Sequence, residues 1–365
     1  MTDVQSSLLL AWFDETRADL PWRLPSGSDA RPDPYRVWLS EVMLQQTQIE
    51  TVIPYYQRFL AAFPDVVALA DAPLHDILKA WEGLGYYSRA RNLHKTARIV
   101  AGEMGGQFPR TVDGLMRLPG IGRYTAGAIA SIAFDQPAPV LDGNVIRVFS
   151  RLLDLPDDVT QTATKNRLWD YAAQNVPQKR AGDYNQALME LGQKVCTVRT
   201  PDCGACPLRG SCLAYARGTQ AERPVKARRA AIPHYDVAAG IVYRADGRFL
   251  IAQRPPEGLL GGMWEFPGGK REAGETLPQT LQRELREELA LEVEVGELFV
   301  VVRHAFTHFK ITMSAFICQH VGAEPQAIEA QDFAWVTLAD LDAYSFGKAD
   351  RDVIAALHER GDLLL

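Results

Sequence analysis

The chain has 365 residues, 47% hydrophobic and 23% charged, proportions that suit a folded protein with two cores and exclude a disordered one. No apolar run approaches the roughly 20 residues that span a bilayer, and Met1–Glu15 holds only Leu8-Leu9-Leu10 as an apolar run, so a cytoplasmic protein without membrane contact is expected. The net charge of −6 is unevenly spread: residues 1–215 carry 22 basic and 23 acidic side chains, 216–233 five and one, and 234–365 twelve and 21. The acidity belongs to the last third, and the near-neutral first part can still bind phosphate if its basic groups share a face.

Residues 1–215 read as a largely helical domain. Apolar residues recur at three and four in Val37–Gln48, Leu74–Trp81, Ala90–Val100 and Thr125–Phe134, with breaks at Gly and Pro. Residues 216–233 are basic, contain two prolines and lack an apolar pattern, and read as a linker. From 234 the texture changes to the strand-like runs Val237–Tyr243, Phe249–Ala252, Val293–Arg303 and Ile311–Gln319, with a helix over Leu277–Leu289. An α/β domain over 234–365 is expected behind the helical one.

Three features of the helical part carry chemistry. Cys196, Cys203, Cys206 and Cys212 are separated by six, two and five residues, a metal-site arrangement in a compartment where disulfides rarely persist. Spacing alone leaves a four-thiolate zinc site and an iron–sulfur cluster equally open. Cys318, in an alternating run, reads as core. Leu118-Pro119-Gly120-Ile121-Gly122 joins two helical patterns, and such a turn offers helix N–H groups to a phosphate oxygen. Glu41 lies between Trp38-Leu39 and Val42-Met43-Leu44, neighbours that would raise its pKa; the plain alternative is a solvated surface glutamate. Asp142 stands where a helix N-cap is expected.

Taken together, these segments resemble the endonuclease III and adenine glycosylase superfamily. The resemblance implies a [4Fe–4S] cluster on the four cysteines, with Lys194, Arg199 and Arg209 near DNA phosphates. It identifies the glycine turn, followed by Arg123-Tyr124-Thr125-Ala126, as a helix-hairpin-helix holding the DNA backbone at Gly120 and Gly122. Pro34 to Gln48 is similar, nearly residue for residue, to the adenine glycosylase segment that carries the general acid, which places that role on Glu41. Leu141-Asp142-Gly143-Asn144-Val145 matches the segment of the second carboxylate, implying that Asp142 stabilises a cationic sugar and Asn144 helps hold the site. Breaking an N-glycosidic bond needs such a pair in unlike environments.

Strand-cutting relatives carry a lysine in Gly-x-Gly-x-Lys-Thr-Ala; here that position is Tyr124, which implies a monofunctional enzyme. Gly83 to Asn92 resembles the family's intercalating segment, with Leu84 and Tyr86 at the wedge and Arg89 and Arg91 facing the backbone. Leu44, Gln46 and Thr47 would line the opened site, and Trp22 and Gln186 match adenine-pocket positions. The implied partner is double-stranded DNA holding adenine opposite 8-oxoguanine or guanine, bound by a monomer. The implied helical architecture is a barrel over about 23–135 and a cluster-bearing subdomain from 1–22 plus 136–215.

Met263 to Leu291 resembles the box of Nudix hydrolases. Gly269, Glu275, Arg283, Glu284, Glu287 and Glu288 match it, while Ala290 replaces its glycine. Glu284, Glu287 and Glu288 would share a helix face, as Mg²⁺ requires. In adenine glycosylases a domain of this kind recognises 8-oxoguanine through a loop like His304-Ala305-Phe306-Thr307-His308-Phe309, with Thr307 probing the lesion beside Phe306 and His308. Recognition is the expectation, since Ala290 sits where a helix-ending turn wants positive φ. The rivals are a Mg-dependent nucleotide diphosphatase and a non-catalytic DNA-binding iron–sulfur protein.

Overall fold

The chain is organised as two units, Met1–Ala72 with Asn92–Arg229, and Pro73–Arg91 with Ala230–Leu365. The computed structural model describes residues 3–25, 27–28, 30–227 and 232–360. In chain order the helices are α1 (Asp3–Thr16), α2 (Pro34–Met43), α3 (Ile49–Ala62), α4 (Val66–Asp71), α5 (Leu74–Ala80), α6 (Ser88–Glu103), α7 (Val112–Met116), α8 (Arg123–Phe134), α9 (Gly143–Leu152), α10 (Thr162–Asn175), α11 (Ala181–Lys194) and α12 (Leu213–Arg217). No described helix is long and apolar enough to cross a membrane.

Local chemistry fixes the elements that matter to the site. Pro34 opens α2, and Asp33 caps it by accepting the Tyr35 N–H at 2.9 Å. The helix expected over Val37–Gln48 stops earlier, at Met43: Leu44 is its C-cap, and Gln46 takes φ +59°, which no continuing helix permits. Gly120, at φ +75°, turns the chain between α7 and α8, and a Cβ there would meet Asn92 at 2.7 Å. No side chain caps α8, whose N-cap is Gly122, so its first N–H groups are left for another acceptor. A core of Leu9 and Phe13 of α1, Val148 and Phe149 of α9, Leu168 of α10, and Tyr184 and Leu188 of α11 underlies this half, with Cys196, Cys206 and Cys212 at its edge.

The segment expected as a linker from 216 onward is held to the helical unit in its described part. Arg223 and Arg217 ion-pair with Asp154 at 2.9 and 3.0 Å, and Val159 N–H donates to Val225 at 3.0 Å. Residues 228–231 of that segment lie outside the described residues.

The second unit is a sheet of β1 (His234–Tyr243), β2 (Phe249–Gln253), β3 (Trp264–Glu265), β4 (Gly268–Lys270), β5 (Val293–Ala305), β6 (Lys310–His320) and β7 (Asp332–Val336). Its order is β3-β2-β1-β6-β5, with β4 paired to β1 and β7 to β2; β1 and β6 run parallel, Ala239 opposite Ala315. Period-two alternation assigns the faces. Ala239, Ile241, Ile311 and Met313 pack against Val353, Ile354 and Leu357 of α14 (Lys348–Arg360). Ala238, Val242, Phe316 and the fully buried Cys318 pack against Leu281, Leu285 and Leu289 of α13 (Leu277–Leu289).

Pro73–Arg91, read from its helical pattern as part of the first domain, makes contacts that group it with this sheet unit. Its ties are polar: Glu82 pairs with Arg351 at 2.6 Å, Lys79 donates to the Tyr344 carbonyl at 3.1 Å, and Arg91 to the Gly261 carbonyl at 2.7 Å. Apolar periodicity carries no trace of such partners.

Candidate active site

A cleft of about 980 Å³ in the helical unit gathers nine of the residues singled out in the sequence: Trp22, Glu41, Leu44, Gln46, Thr47, Tyr124, Asp142, Asn144 and Gln186. The early end of α2 turns the chain so that Leu44, Gln46 and Thr47 form a rim, with Glu41 one helical turn deeper.

Glu41 is 6% exposed, and Tyr124 Oη donates to its Oε2 at 2.8 Å. Burial pushes its pKa up to about 7; the Tyr124 bond opposes this, the nearby Asp142 adds to it, and Arg23 counteracts it. Asp142, the N-cap of α9, is furnished differently. Oδ1 accepts the Val145 N–H at 2.7 Å and Oδ2 the Asn144 amide at 2.8 Å. Burial raises its pKa too, but those bonds and the charge of Arg147 pull it down. One acid is arranged to keep a proton near neutral pH, and the other is surrounded by groups that favour its charge.

The cleft contains residues that sequence reasoning missed. Arg23 ion-pairs with Glu190 at 2.6 Å, both largely buried, and its Nε donates to Gln186 Oε1 at 2.9 Å, fixing that amide's orientation. Trp22 packs edge-on against Tyr56 at 5.3 Å. Arg147 links two features: Nη2 donates to Asn144 Oδ1 at 2.8 Å, and Nε to the Cys196 carbonyl at 2.7 Å. Arg151, one turn on, donates to the carbonyls of Thr197 and Val198 at 2.6 and 3.0 Å and lies 3.3 Å from Cys196 Sγ. Two arginines four apart, just after Asp142, were the available signal.

All four cysteines line one small cavity, with Arg151, Leu208 and Arg209. None is in a disulfide. Burial and the neighbouring thiols raise Cys206 to about 11 and push up Cys203 and Cys212 as well. Among the described residues no three His, Cys, Asp or Glu side chains form a compact site for a single metal ion. Four soft donors around a shared space fit a polynuclear group.

In the second unit Tyr86, 43% exposed, meets Thr307 hydroxyl to hydroxyl at 2.5 Å. Thr307 and His308 are exposed on the β5–β6 hairpin, while Phe306 is half-buried between His304 and Phe309. Leu84 is buried. Buried Arg89 donates to the Leu84 and Gly85 carbonyls at 3.1 Å each, and Arg91 to those of Gly261 and Gly258. Backbone carbonyls in the turn and a neighbouring loop were hidden from pattern reading. Gly120 and Gly122 lie outside the cleft, in the turn before α8.

Three of the four Nudix-box glutamates are engaged by one arginine. Arg283 holds Glu275 at 2.8 Å and Glu284 and Glu287 at 3.0 Å each. Glu284 is wedged where a Cβ on Gly269 would lie 2.2 Å from its Cδ. Glu284, Glu287 and Glu288 all lie on α13, and the buried Glu288 Oε2 has no hydrogen-bond partner among the described residues. Ala290 takes φ +50°, ψ +32°, the left-handed conformation that the box glycine would adopt freely.

Residues 39–174 match the HhH-GPD superfamily of base excision DNA repair proteins, and 238–356 the NUDIX domain. The adenine DNA glycosylase of Mus musculus is 40% identical over 362 residues, covering 85% of this chain and 69% of that protein. That of Rattus norvegicus is 38% identical over 403 residues, covering 97% and 78%. The structure of a thermostable thymine-DNA glycosylase superposes with TM-score 0.52 at 29% identity, over 59% of this chain and 96% of that one. A buried acid beside a capped carboxylate and likeness over nearly the whole length agree: the chain belongs to the adenine DNA glycosylase family.

Proposed function

We propose that this glycosylase removes adenine paired with 8-oxoguanine, or with guanine, in double-stranded DNA and leaves the strand uncut. The observation that carries the reading is the unlike furnishing of Glu41 and Asp142 in one cleft. An adenine turned out of the duplex enters beside Trp22 and Gln186. Glu41, protonated near neutrality, gives its proton to a ring nitrogen as the C1′–N9 bond breaks and its electron pair leaves with the base. Asp142 faces the cationic sugar and stabilises it electrostatically until water adds at C1′. Asn144 keeps that carboxylate oriented. Tyr124 has no amine, so no Schiff base forms and no strand is cut by that route.

Cys196, Cys203, Cys206 and Cys212 would hold a [4Fe–4S] cluster, which when bound fastens the loop and its basic residues as one rigid edge. Gly120, Gly122 and the uncapped start of α8 offer N–H groups to a phosphate. Tyr86 and Thr307 read the base left opposite the gap, and Phe306 and His308 flank them. The enzyme acts as a monomer.

A single-turnover assay tests this on duplexes with adenine opposite 8-oxoguanine and opposite thymine. Strand breaks that appear only once alkali cleaves the abasic sites, and far faster on the first duplex, are expected. Spontaneous strand cuts trapped by borohydride, or equal rates on both duplexes, would overturn it.

A further inference from the structure

We propose that Glu82 and Arg351 form a clasp that sets Tyr86 in register with Thr307, making both positioning residues for discrimination of the base opposite adenine; this rests on the lesion-reading role given above. Glu82 follows α5 and precedes the turn ending in Tyr86. Its carboxylate accepts from Arg351 Nε at 2.6 Å and Nη2 at 3.1 Å, from Lys79 Nζ at 2.9 Å and from the Phe346 N–H at 2.9 Å. Arg351 Nη2 also donates to the Tyr344 carbonyl at 2.5 Å, and its guanidinium lies 5.2 Å from the Phe346 ring centre. Both side chains are 19% exposed, so this two-pronged pair is partly shielded from the water that weakens surface ion pairs.

The clasp reaches Thr307 through the fold. Arg351 sits on α14, whose Val353, Ile354 and Leu357 share a core with Val302 of β5 and Ile311 of β6, the strands that run into the Thr307 hairpin. The turn is thus gripped at Glu82 and at Tyr86, and the helix that follows it at Arg91, through the Gly261 and Gly258 carbonyls. Its internal bonds, Trp81 Nε1 to the Gly85 carbonyl at 3.1 Å and Arg89 to those of Leu84 and Gly85, fix its shape. They do not fix where that shape lies over the sheet. Tyr86 itself is at φ +49°, a conformation an untethered segment would abandon. Without the clasp the tyrosine persists, but its hydroxyl no longer meets Thr307 in one place.

The test uses the full chain carrying Glu82→Gln, Arg351→Gln, both together, or Arg351→Lys. Single-turnover excision is measured opposite 8-oxoguanine and opposite guanine. The ratio of the two rates is read within one preparation, so it does not depend on the folded fraction. Each single Gln variant is expected to lower the ratio by about tenfold while the rate opposite guanine stays within about twofold of wild type; the double variant should fall no further, as for residues acting as a unit. Arg351→Lys should recover part of the ratio. If Arg351→Gln fails to fold, the near-isosteric Glu82→Gln carries the test. An unchanged ratio, or both rates falling together, overturns the clasp alone. A wild-type protein without preference overturns the lesion reading and the clasp with it.

Discussion

The two units each bury acids, and they use them in opposite ways. In the helical unit, Glu41 and Asp142 face an open cleft, one held by a single tyrosine hydroxyl and the other by a helix N-terminus and an amide. In the sheet unit, arginines occupy the carboxylates: Arg283 holds Glu275, Glu284 and Glu287, and Arg254 holds Glu265. Burial raises Glu288 to about 8 and Asp350 to about 7, values as displaced as that of Glu41. A displaced pKa therefore does not mark catalysis by itself; an opening for substrate and an asymmetric partner do.

Substitutions should break this contrast in graded steps. Glu41→Gln removes the proton donor while keeping shape, and should lower single-turnover excision about 10²–10⁴-fold with duplex affinity retained; a loss under tenfold would take the acid role from Glu41. Asp142→Asn keeps a cap but deletes the charge facing the sugar, and about 10²–10³-fold is expected. Measured against pH, the wild-type rate should fall as pH rises through about 7, where Glu41 loses the proton it must donate. It should also fall on the acid side as Asp142, its pKa raised, takes up a proton. Tyr124→Phe removes the bond that lowers Glu41, so the alkaline limb should move to higher pH, with a rate change of only about threefold near neutrality. An alkaline limb that stays in place would sink the pairing.

The sheet unit should respond in stability rather than in chemistry. Ala290→Gly relieves a left-handed alanine and should raise the unfolding free energy by about 1 kcal/mol, read from denaturant midpoints. Smallest of all is the expected effect of Glu287→Gln: millimolar Mg²⁺ with oxidised nucleoside triphosphates should give no phosphate or pyrophosphate release before or after the change. Release by wild type that this variant abolishes would restore the diphosphatase.

Much of this was readable from residues. Four strands, α13 and the buried Cys318 followed from period-two and period-3.6 patterns, because burial writes itself directly into hydrophobicity. Glu41 did not: among 45 acids, only its surrounding motif distinguished it. Arg23 with Glu190 was invisible because its partner is a distant side chain, and Arg147 with Arg151 left only their four-residue spacing, since their partners include loop carbonyls. The same holds for the bonds of Arg89 and Arg91 to turn and loop carbonyls. The helix pattern of Pro73–Arg91 likewise gave no sign of its polar bonds to Tyr344, Arg351 and Gly261.

In the base-reading role proposed above, Tyr86 at φ +49° has a consequence for how rapidly DNA can be surveyed. Its backbone is already set in the free protein, so ordering entropy is not lost again at each base pair tested. A wedge assembled on contact would slow every encounter with undamaged sequence. One fixed during folding lets nearly all the dwell time fall on sites where the opposing base holds it.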